Sequence, residues 1–154
     1  MKSMVVIPAY NEEKSIYKVV KRVQNCGMKI DVVVVNDGSE DRTSEEARRA
    51  GAIVINLPLN VGIGGAVQTG YLYAVYHGYD AVVQIDGDGQ HDPVDLPNLL
   101  SKLQNGEADM VIGSRFVEKS DYKPSFFRKL GILFFSKLIS LLTGEKFTDT
   151  TSGY

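Results

Sequence analysis

The stretch Asp86-Gly87-Asp88-Gly89-Gln90 puts two carboxylates and an amide oxygen within five residues, with a glycine after each aspartate. On a straight strand the three polar side chains would share one face and leave it no apolar packing. With Gly87 and Gly89 the chain can turn tightly and bring those oxygens around one point. Such donors suit a hard cation, Mg²⁺ or Mn²⁺, and magnesium takes one or two carboxylates plus substrate phosphates, so a diphosphate is the natural co-ligand. A polar turn without a ligand is the plain alternative. An EF-hand is excluded, because the ladder of oxygens ending in Glu is absent.

Asp37 follows an apolar run and could accept hydrogen bonds from a base or ribose, or else support the start of the next helix with Ser39 or Asp41. Arg115 could hold phosphate with two parallel bonds, although a lone arginine in such a place is more often structural. Gly62-Ile63-Gly64-Gly65-Ala66-Val67 invites comparison with the dinucleotide fingerprint but has Val where its third small residue belongs, so Rossmann cofactor binding is not expected. These glycines allow either close approach of a ligand or a simple turn, and Gly65 is counted among the substrate-binding candidates. His91, beside the acidic loop, could tune a metal site but is assigned a polar loop role, and His77 and Cys26 structural ones. The pattern shows no Ser-His-Asp or Cys-His constellation.

What must position these groups is a series of short apolar runs alternating with helical patterns, the mark of a parallel sheet flanked by helices. Strands are expected at Met4–Pro8, Asp31–Asn36, Ala52–Leu57, Ala81–Asp86 and Asp109–Gly113. Val32 to Val35 form a continuous β-branched run suited to burial on both faces. Ile16, Val19, Val20 and Val23 keep helical spacing, as do Leu96, Leu99, Leu100 and Leu103. Ser39–Ala50 reads as an exposed helix closed by Gly51, and Ala66–Tyr76 as a helix entered through a glycine-rich turn. Ligands of such sheets gather beyond the carboxyl ends of the strands. There the sequence sets Ala9 to Glu12, Asp37 to Ser39, Pro58 to Gly65, Gly87 to Asp92 and Ser114 to Phe116.

Length and composition bound the rest. A chain of 154 residues suits one domain, and 44% hydrophobic with 23% charged residues excludes a disordered chain. A net charge of -2 argues against nucleic acid as a partner, and one cysteine excludes an internal disulfide. The N-terminus lacks the apolar core of a signal peptide, so an intracellular domain is expected. Acidic residues are in excess before residue 118 and basic ones over 118–146. Within that basic part, Phe126–Leu142 sets Lys129, Ser136, Lys137 and Ser140 on one stripe of an otherwise apolar helix. Lys137 interrupts a run already short of the ~20 residues that span a bilayer. An interfacial helix and a helix packed on the domain are both open.

Taken in order, Val5-Val6-Ile7-Pro8-Ala9-Tyr10-Asn11-Glu12-Glu13, Val35-Asn36-Asp37-Gly38-Ser39 and Asp86-Gly87-Asp88-Gly89-Gln90-His91-Asp92-Pro93 resemble glycosyltransferase family 2. Gly113-Ser114-Arg115-Phe116 and Thr148-Asp149-Thr150-Thr151-Ser152-Gly153-Tyr154 are similar to its dolichyl- and polyprenyl-phosphate sugar transferases. The resemblance implies an α/β GT-A fold, a Rossmann-like, mostly parallel sheet flanked by helices, over the single domain 1–154. It implies that Pro8, Ala9, Tyr10, Glu12 and Asp37 line a nucleoside pocket, and that Asp86, Asp88 and Gln90 hold Mg²⁺ or Mn²⁺. Asp86 is thereby also placed against the donor, and Arg115 against the acceptor phosphate.

The resulting expectation is an inverting, metal-dependent enzyme moving a sugar from a nucleoside diphosphate to a polyprenyl phosphate at the cytoplasmic face of a membrane, in peripheral contact with it. Asp88 and Arg115 are its catalytic candidates, with Asp149 as a base if the acceptor is an alcohol. A hydroxyl-acceptor member of the family and a silent nucleotide-sugar binding domain are the alternatives. A receiver-like module is disfavoured, since Leu57-Pro58 stands where its aspartate would be. The family pattern continues past Tyr154 with an arginine, so a chain truncated at its C-terminus is expected.

Overall fold

The structure, a computed structural model, describes residues 1–89, 91–113, 135–137, 139–142 and 144. The chain divides into two compact units, Met1–Val111 and Ile112–Tyr154.

The first unit is built on four strands: β1 (Ser3–Ala9), β2 (Asp31–Asn36), β3 (Ile53–Asn56) and β4 (Ala81–Gln84). They pair in the order β3-β2-β1-β4, every pair parallel. Helices α1 (Ile16–Gln24), α2 (Thr43–Arg49) and α3 (Gly62–Tyr76) connect them, and α4 (Leu96–Gln104) follows a short 3₁₀ turn at Pro93–Asp95. The chain winds outward from β1 to β3 and then returns to the other side of β1. Right-handed crossovers therefore require α3 on the opposite face from α1 and α2.

Side-chain alternation matches that arrangement. Met4, Val6, Val33 and Val35 form a fully buried cluster with Ala66 and Ala74 of α3. Val5, Ile7, Val32 and Val34 point the other way and are also buried. Close approach of α3 rests on Gly70, where a Cβ would lie 2.1 Å from a methyl of Val6. Helix α1 buries the expected face, Ile16, Val19, Val20 and Val23. Gly51, in the left-handed region at φ 91°, follows α2 as anticipated.

Several boundaries differ from the sequence expectation, β1 by only one residue at each end. The third strand is shorter, Ile53–Asn56, and the fourth stops at Gln84, which leaves Asp86 in the following turn. Helix α2 begins at Thr43 rather than Ser39, because residues 39 to 42 are held by the neighbouring loop. Helix α3 begins at Gly62, so Gly64 and Gly65 lie in its first turns and not in a connecting turn. Two side chains hold the loop at its start: Asn60 Oδ1 accepts the Gly62 N–H at 2.9 Å, and Asp37 Oδ1 accepts the Val61 N–H at 2.8 Å. Finally, Asp109–Gly113 forms no strand. An apolar run becomes a strand only with a partner ladder; among the described residues this run pairs with none, and Met110 is 73% exposed.

In the second unit, residues 135–137 and 139–142 are helical, with Phe135, Leu141 and Leu142 exposed. Among the described residues no helix is long and apolar enough to cross a membrane.

Candidate active site

The strand order reverses between β1 and β4, and at such a switch point the loops leaving two adjacent strands part and open a crevice. Proline at position 8 of a central strand is compatible with this place. Val6 accepts the Ile85 N–H on the β4 side, and two residues further on β1 has outrun β4. The missing N–H of Pro8 would face that same side, beyond the end of the ladder. On the β2 side the ladder continues, with the Asp37 N–H donated to Ala9 O at 2.9 Å.

An open cleft of about 310 Å³ occupies this crevice. Pro8, Ala9, Tyr10 and Glu12 form one wall, and Asp37 closes its floor at 3% exposure. Asn60, Gly62, Ile63 and Ala66 contribute the start of α3, and Asp86, Gly87 and Asp88 form the far side. The five residues expected to line a nucleoside pocket thus share one cavity with Asp86 and Asp88. Gly65 does not line it: its Cα faces Val61, whose methyl lies 2.6 Å from where a Cβ would stand, and Ile63 and Ala66 face the cleft instead. Gln90, Arg115 and Asp149 lie outside the described residues.

The loops around this cleft are tied together by side chains. Asp37 is linked to the loop before α3 through Val61, and Gly38, at φ 68°, passes under Leu59 and Asn60. The loop after β1 is bonded to the loop after β2. The Asn11 N–H donates to Ser39 Oγ at 2.9 Å, the Glu12 N–H to Thr43 Oγ1 at 2.7 Å and the Glu13 N–H to Asp41 Oδ2 at 3.0 Å. In return, Asn11 Oδ1 accepts the Glu40 N–H at 3.0 Å and Glu13 Oε2 the Arg42 N–H at 3.3 Å. The Glu12 carboxylate accepts the Ser15 hydroxyl. Burial alone would raise the Asp41 pKa, but hydrogen bonds from the Thr43 hydroxyl and from the N–H groups of Thr43, Glu13 and Asp41 itself outweigh it and hold the group below 3.8.

On the far side the turn lies directly on the end of β1, because Gly87 has no side chain. A Cβ there would come within 3.2 Å of Pro8 O and 3.5 Å of Ala9 Cβ. Gly89, at φ 82°, completes the turn. His91 is closer to this chemistry than its expected loop role. Its Nδ1 accepts the Asp86 N–H at 3.2 Å, and its Nε2 lies 3.8 Å from Asp86 Oδ2. Gln84 Nε2 donates to Asp86 Oδ1 at 3.3 Å.

Four carboxylates, Glu12, Asp37, Asp86 and Asp88, therefore line one cleft, and no Lys or Arg lies among its described lining residues. A diphosphate entering would be repelled by each of them, by roughly 1 to 4 kcal/mol per charge pair at 4 Å in well-solvated surroundings. Among the described residues no three Asp, Glu, His or Cys side chains gather into a cage for a metal. Two carboxylates on a turn, without a cage, fit a magnesium-like ion whose other positions are filled by phosphate and water.

Sequence reasoning set Asn60 and Ile63 at the ligand-binding edge without singling them out, and missed Ala66 and the bonds between the first two loops. Asn60 carried a signal, since it stands in a polar loop at the carboxyl edge. The loop-to-loop bonds carried none, because their partners are 28 to 31 residues apart.

Comparison with known proteins agrees with this geometry. A family profile described as Glycosyl transferase family 2 matches residues 4–153. An undecaprenyl-phosphate mannosyltransferase of Micrococcus luteus is 35% identical, covering all of this chain and 65% of its own length. A UDP-N-acetylglucosamine–dolichyl-phosphate N-acetylglucosaminyltransferase of Methanococcus voltae is also 35% identical, over 97% of this chain and 66% of its own. Among solved structures, glucosyl-3-phosphoglycerate synthase of Mycobacterium tuberculosis, in complex with Mn²⁺, UDP-glucose and phosphoglyceric acid, superposes with a TM-score of 0.58 at 30% identity. That match covers 69% of this chain and 40% of the other. The architecture is that of the GT-A glycosyltransferases. The chain spans between about three fifths and two thirds of the length of these curated relatives.

Proposed function

Since the chain belongs to glycosyl transferase family 2, we propose that it carries the donor site of an inverting, metal-dependent transferase that moves a sugar from a nucleoside diphosphate to a polyprenyl phosphate. The observation that carries this reading is the acidic cleft, in which Gly87 lies against Pro8 and Ala9 between the lining carboxylates of Asp86 and Asp88, with Asp37 on the floor. Tyr10, 47% exposed at the rim, offers a ring for a base to rest on. Asp37 Oδ1 is engaged by Val61, and the carboxylate's second oxygen is the acceptor this floor offers to a base or ribose. Glu12, fixed by Ser15, offers a second acceptor on the same wall.

Asp86, Asp88 and Gln90 are the residues that would hold the cation, and Mn²⁺ or Mg²⁺ in the structural neighbours supports that choice. When bound, such an ion supplies positive charge to a leaving diphosphate. His91 and Gln84 orient Asp86 for this task.

The acceptor class is supported by the polyprenyl-phosphate substrates in the names of the relatives. A phosphate is anionic near neutral pH and attacks without a strong base, so Arg115 has the task of holding it against an anionic donor. A lipid acceptor also requires a membrane surface, and we assign peripheral contact at its cytoplasmic face to Phe126–Leu142. The exposed Phe135, Leu141 and Leu142 support that assignment, and co-sedimentation with anionic liposomes reads it. A hydroxyl acceptor, with Asp149 as general base, is the second reading, and the phosphoglyceric acid bound in the mycobacterial neighbour, which carries a hydroxyl, favours it.

One experiment tests the donor site and, in a second arm, the acceptor. Titration calorimetry with UDP, GDP and their sugars in Mn²⁺ is expected to show binding that falls at least tenfold in EDTA. Asp88→Asn is expected to reproduce that loss with little change in melting temperature, since Asp88 is exposed. Affinity indifferent to EDTA removes the metal from the scheme. In the acceptor arm, transfer to short polyprenyl phosphates should collapse with Arg115→Ala and survive Asp149→Asn, and the reverse pattern overturns the lipid-phosphate reading.

A further inference from the structure

We propose that Asn11 is a positioning residue that sets the width of the donor slot, acting through the loop after β2 rather than by touching the ligand. The proposal rests on the reading of the cleft as a nucleotide-sugar site. Asn11 has φ 56°, the only positive value at a non-glycine among the described residues. The left-handed region disfavours most side chains, and asparagine is among the few residues that visit it routinely. The conformation has a geometric consequence. Tyr10 and Glu12 both line the cleft, whereas Asn11 between them is exposed and does not.

Facing outward, Asn11 meets the second loop twice. Its N–H donates to Ser39 Oγ at 2.9 Å, and its side-chain Oδ1 accepts the Glu40 N–H at 3.0 Å. The segment that receives it begins at Asp37, the floor of the same cleft. Asn11 therefore couples the Tyr10–Glu12 wall to the Asp37 floor at the tip of the loop, and the Glu12–Thr43 bond continues the coupling one residue inward. A slot whose width is held before the ligand arrives loses less freedom on binding.

The exposure of Asn11 separates this role from a purely structural one. Little apolar burial depends on the residue, so removing it should cost affinity more than stability. Three substitutions divide the effects. Asn11→Asp keeps the acceptor and tolerates the left-handed backbone. Asn11→Gly keeps the backbone and loses the side-chain bond. Asn11→Ala loses the bond and strains the backbone.

Nucleoside diphosphate affinity in Mn²⁺, measured by calorimetry beside the melting temperature, should stay within about threefold of the parent for Asp. It should fall about three- to tenfold for Gly, the worth of one hydrogen bond, and further for Ala. In a transfer assay the loss should appear in the donor KM and not in kcat. If Asn11→Ala does not fold, Ser39→Ala removes a bond of the same coupling from the opposite loop and should weaken binding in the same range. Parent-like affinity in both Asn11→Gly and Ser39→Ala overturns the proposal, as does a fall in melting temperature with no change in affinity. A parent that binds no nucleotide or sugar nucleotide overturns the donor-site reading itself, and the positioning role with it.

Discussion

The two sides of the cleft are held by different means. On the side of β1, β2 and β3, three loops are bonded to one another, backbone N–H groups on one loop meeting side-chain oxygens on the next. Across the cleft, the turn from Asp86 to Asp88 is held by close packing at Gly87 and by His91 on the Asp86 amide. The first side gains its shape from many modest hydrogen bonds, each worth about 1 kcal/mol. The second owes its close approach to β1 to an absent side chain, with Gln84 and His91 bonded to Asp86 beside it. Perturbing the bonded side should therefore produce graded losses of affinity and stability, and perturbing the turn a sharp loss of function on an intact fold.

The largest expected effect comes from placing a methyl group on each side. At Gly38 a Cβ would stand 2.7 Å from the backbone of both Leu59 and Asn60, at a φ of 68°. Left-handed strain adds about 1 to 2 kcal/mol and forced repacking about 1 to 3. Gly38→Ala should thus lower the unfolding free energy in urea by about 3 kcal/mol. At Gly87 the nearest atom is Pro8 O at 3.2 Å, and φ is not left-handed. There only the packing cost remains, at the low end, about 1 kcal/mol, while metal-dependent nucleotide affinity falls at least tenfold because Asp86 and Asp88 move together. Equal loss of stability at the two glycines would erase the distinction.

The same division explains what could be read from the sequence. The β-branched run at Val32 to Val35 and the helical spacing of Ile16, Val19, Val20 and Val23 report burial directly, and the strand and helix formed where expected. The acidic turn was legible for a similar reason, since glycine between carboxylates is a local signal. Helix α3 was not read correctly at its start, because three glycines in four residues oppose a helix by about 1 kcal/mol each. Asn60 and Asp37, which hold the chain there, act from outside the helix. Asp109–Gly113 failed in the opposite sense: its local pattern suited a strand, but a strand needs a partner. The bonds made by Asn11, Thr43 and Asp41 were invisible because they join residues distant in sequence. Of the candidate site, the residue types were legible and the contacts that hold them were not.

A smaller difference is expected from removing one carboxylate on each side. Asp37 is buried and accepts the Val61 N–H, so Asp37→Ala leaves that donor unpaired and should cost about 1 to 3 kcal/mol of stability. Asp37→Asn keeps an acceptor oxygen for Val61 and should cost less than half as much, while still weakening donor binding. Asp88→Ala, at an exposed position of the turn, should stay within about 0.5 kcal/mol of the parent by the same denaturation measurement. A stability loss at Asp88 as large as that at Asp37 would mean that the Asp88 side chain holds its turn as firmly as Asp37 holds the loop before α3.

The smallest expected effect is a pH dependence confined to the bonded side. Asp41 accepts the Thr43 hydroxyl and N–H on Oδ1 and the Glu13 N–H on Oδ2, and these bonds outweigh burial to hold its pKa below 3.8. A carboxyl whose folded pKa is depressed stabilises the fold while it is ionised. That contribution is complete above the unfolded value and is lost as pH falls through the folded one. Other carboxylates titrate in the same range, so the informative quantity is the difference between the parent and Asp41→Asn. The amide keeps only one acceptor oxygen and turns an NH₂ toward either Thr43 or Glu13, so the variant should be the less stable of the two at pH 6. Its deficit should shrink as the pH falls below the usual carboxylate range, as the parent loses the same bonds by protonation. The exposure of the loop keeps the whole effect small, and urea unfolding at closely spaced pH values is the measurement that resolves it. A deficit that stays constant down to pH 2 would show that Asp41 contributes through shape and not through its charge, and the bonds between the two loops would then have to be counted as ordinary neutral ones.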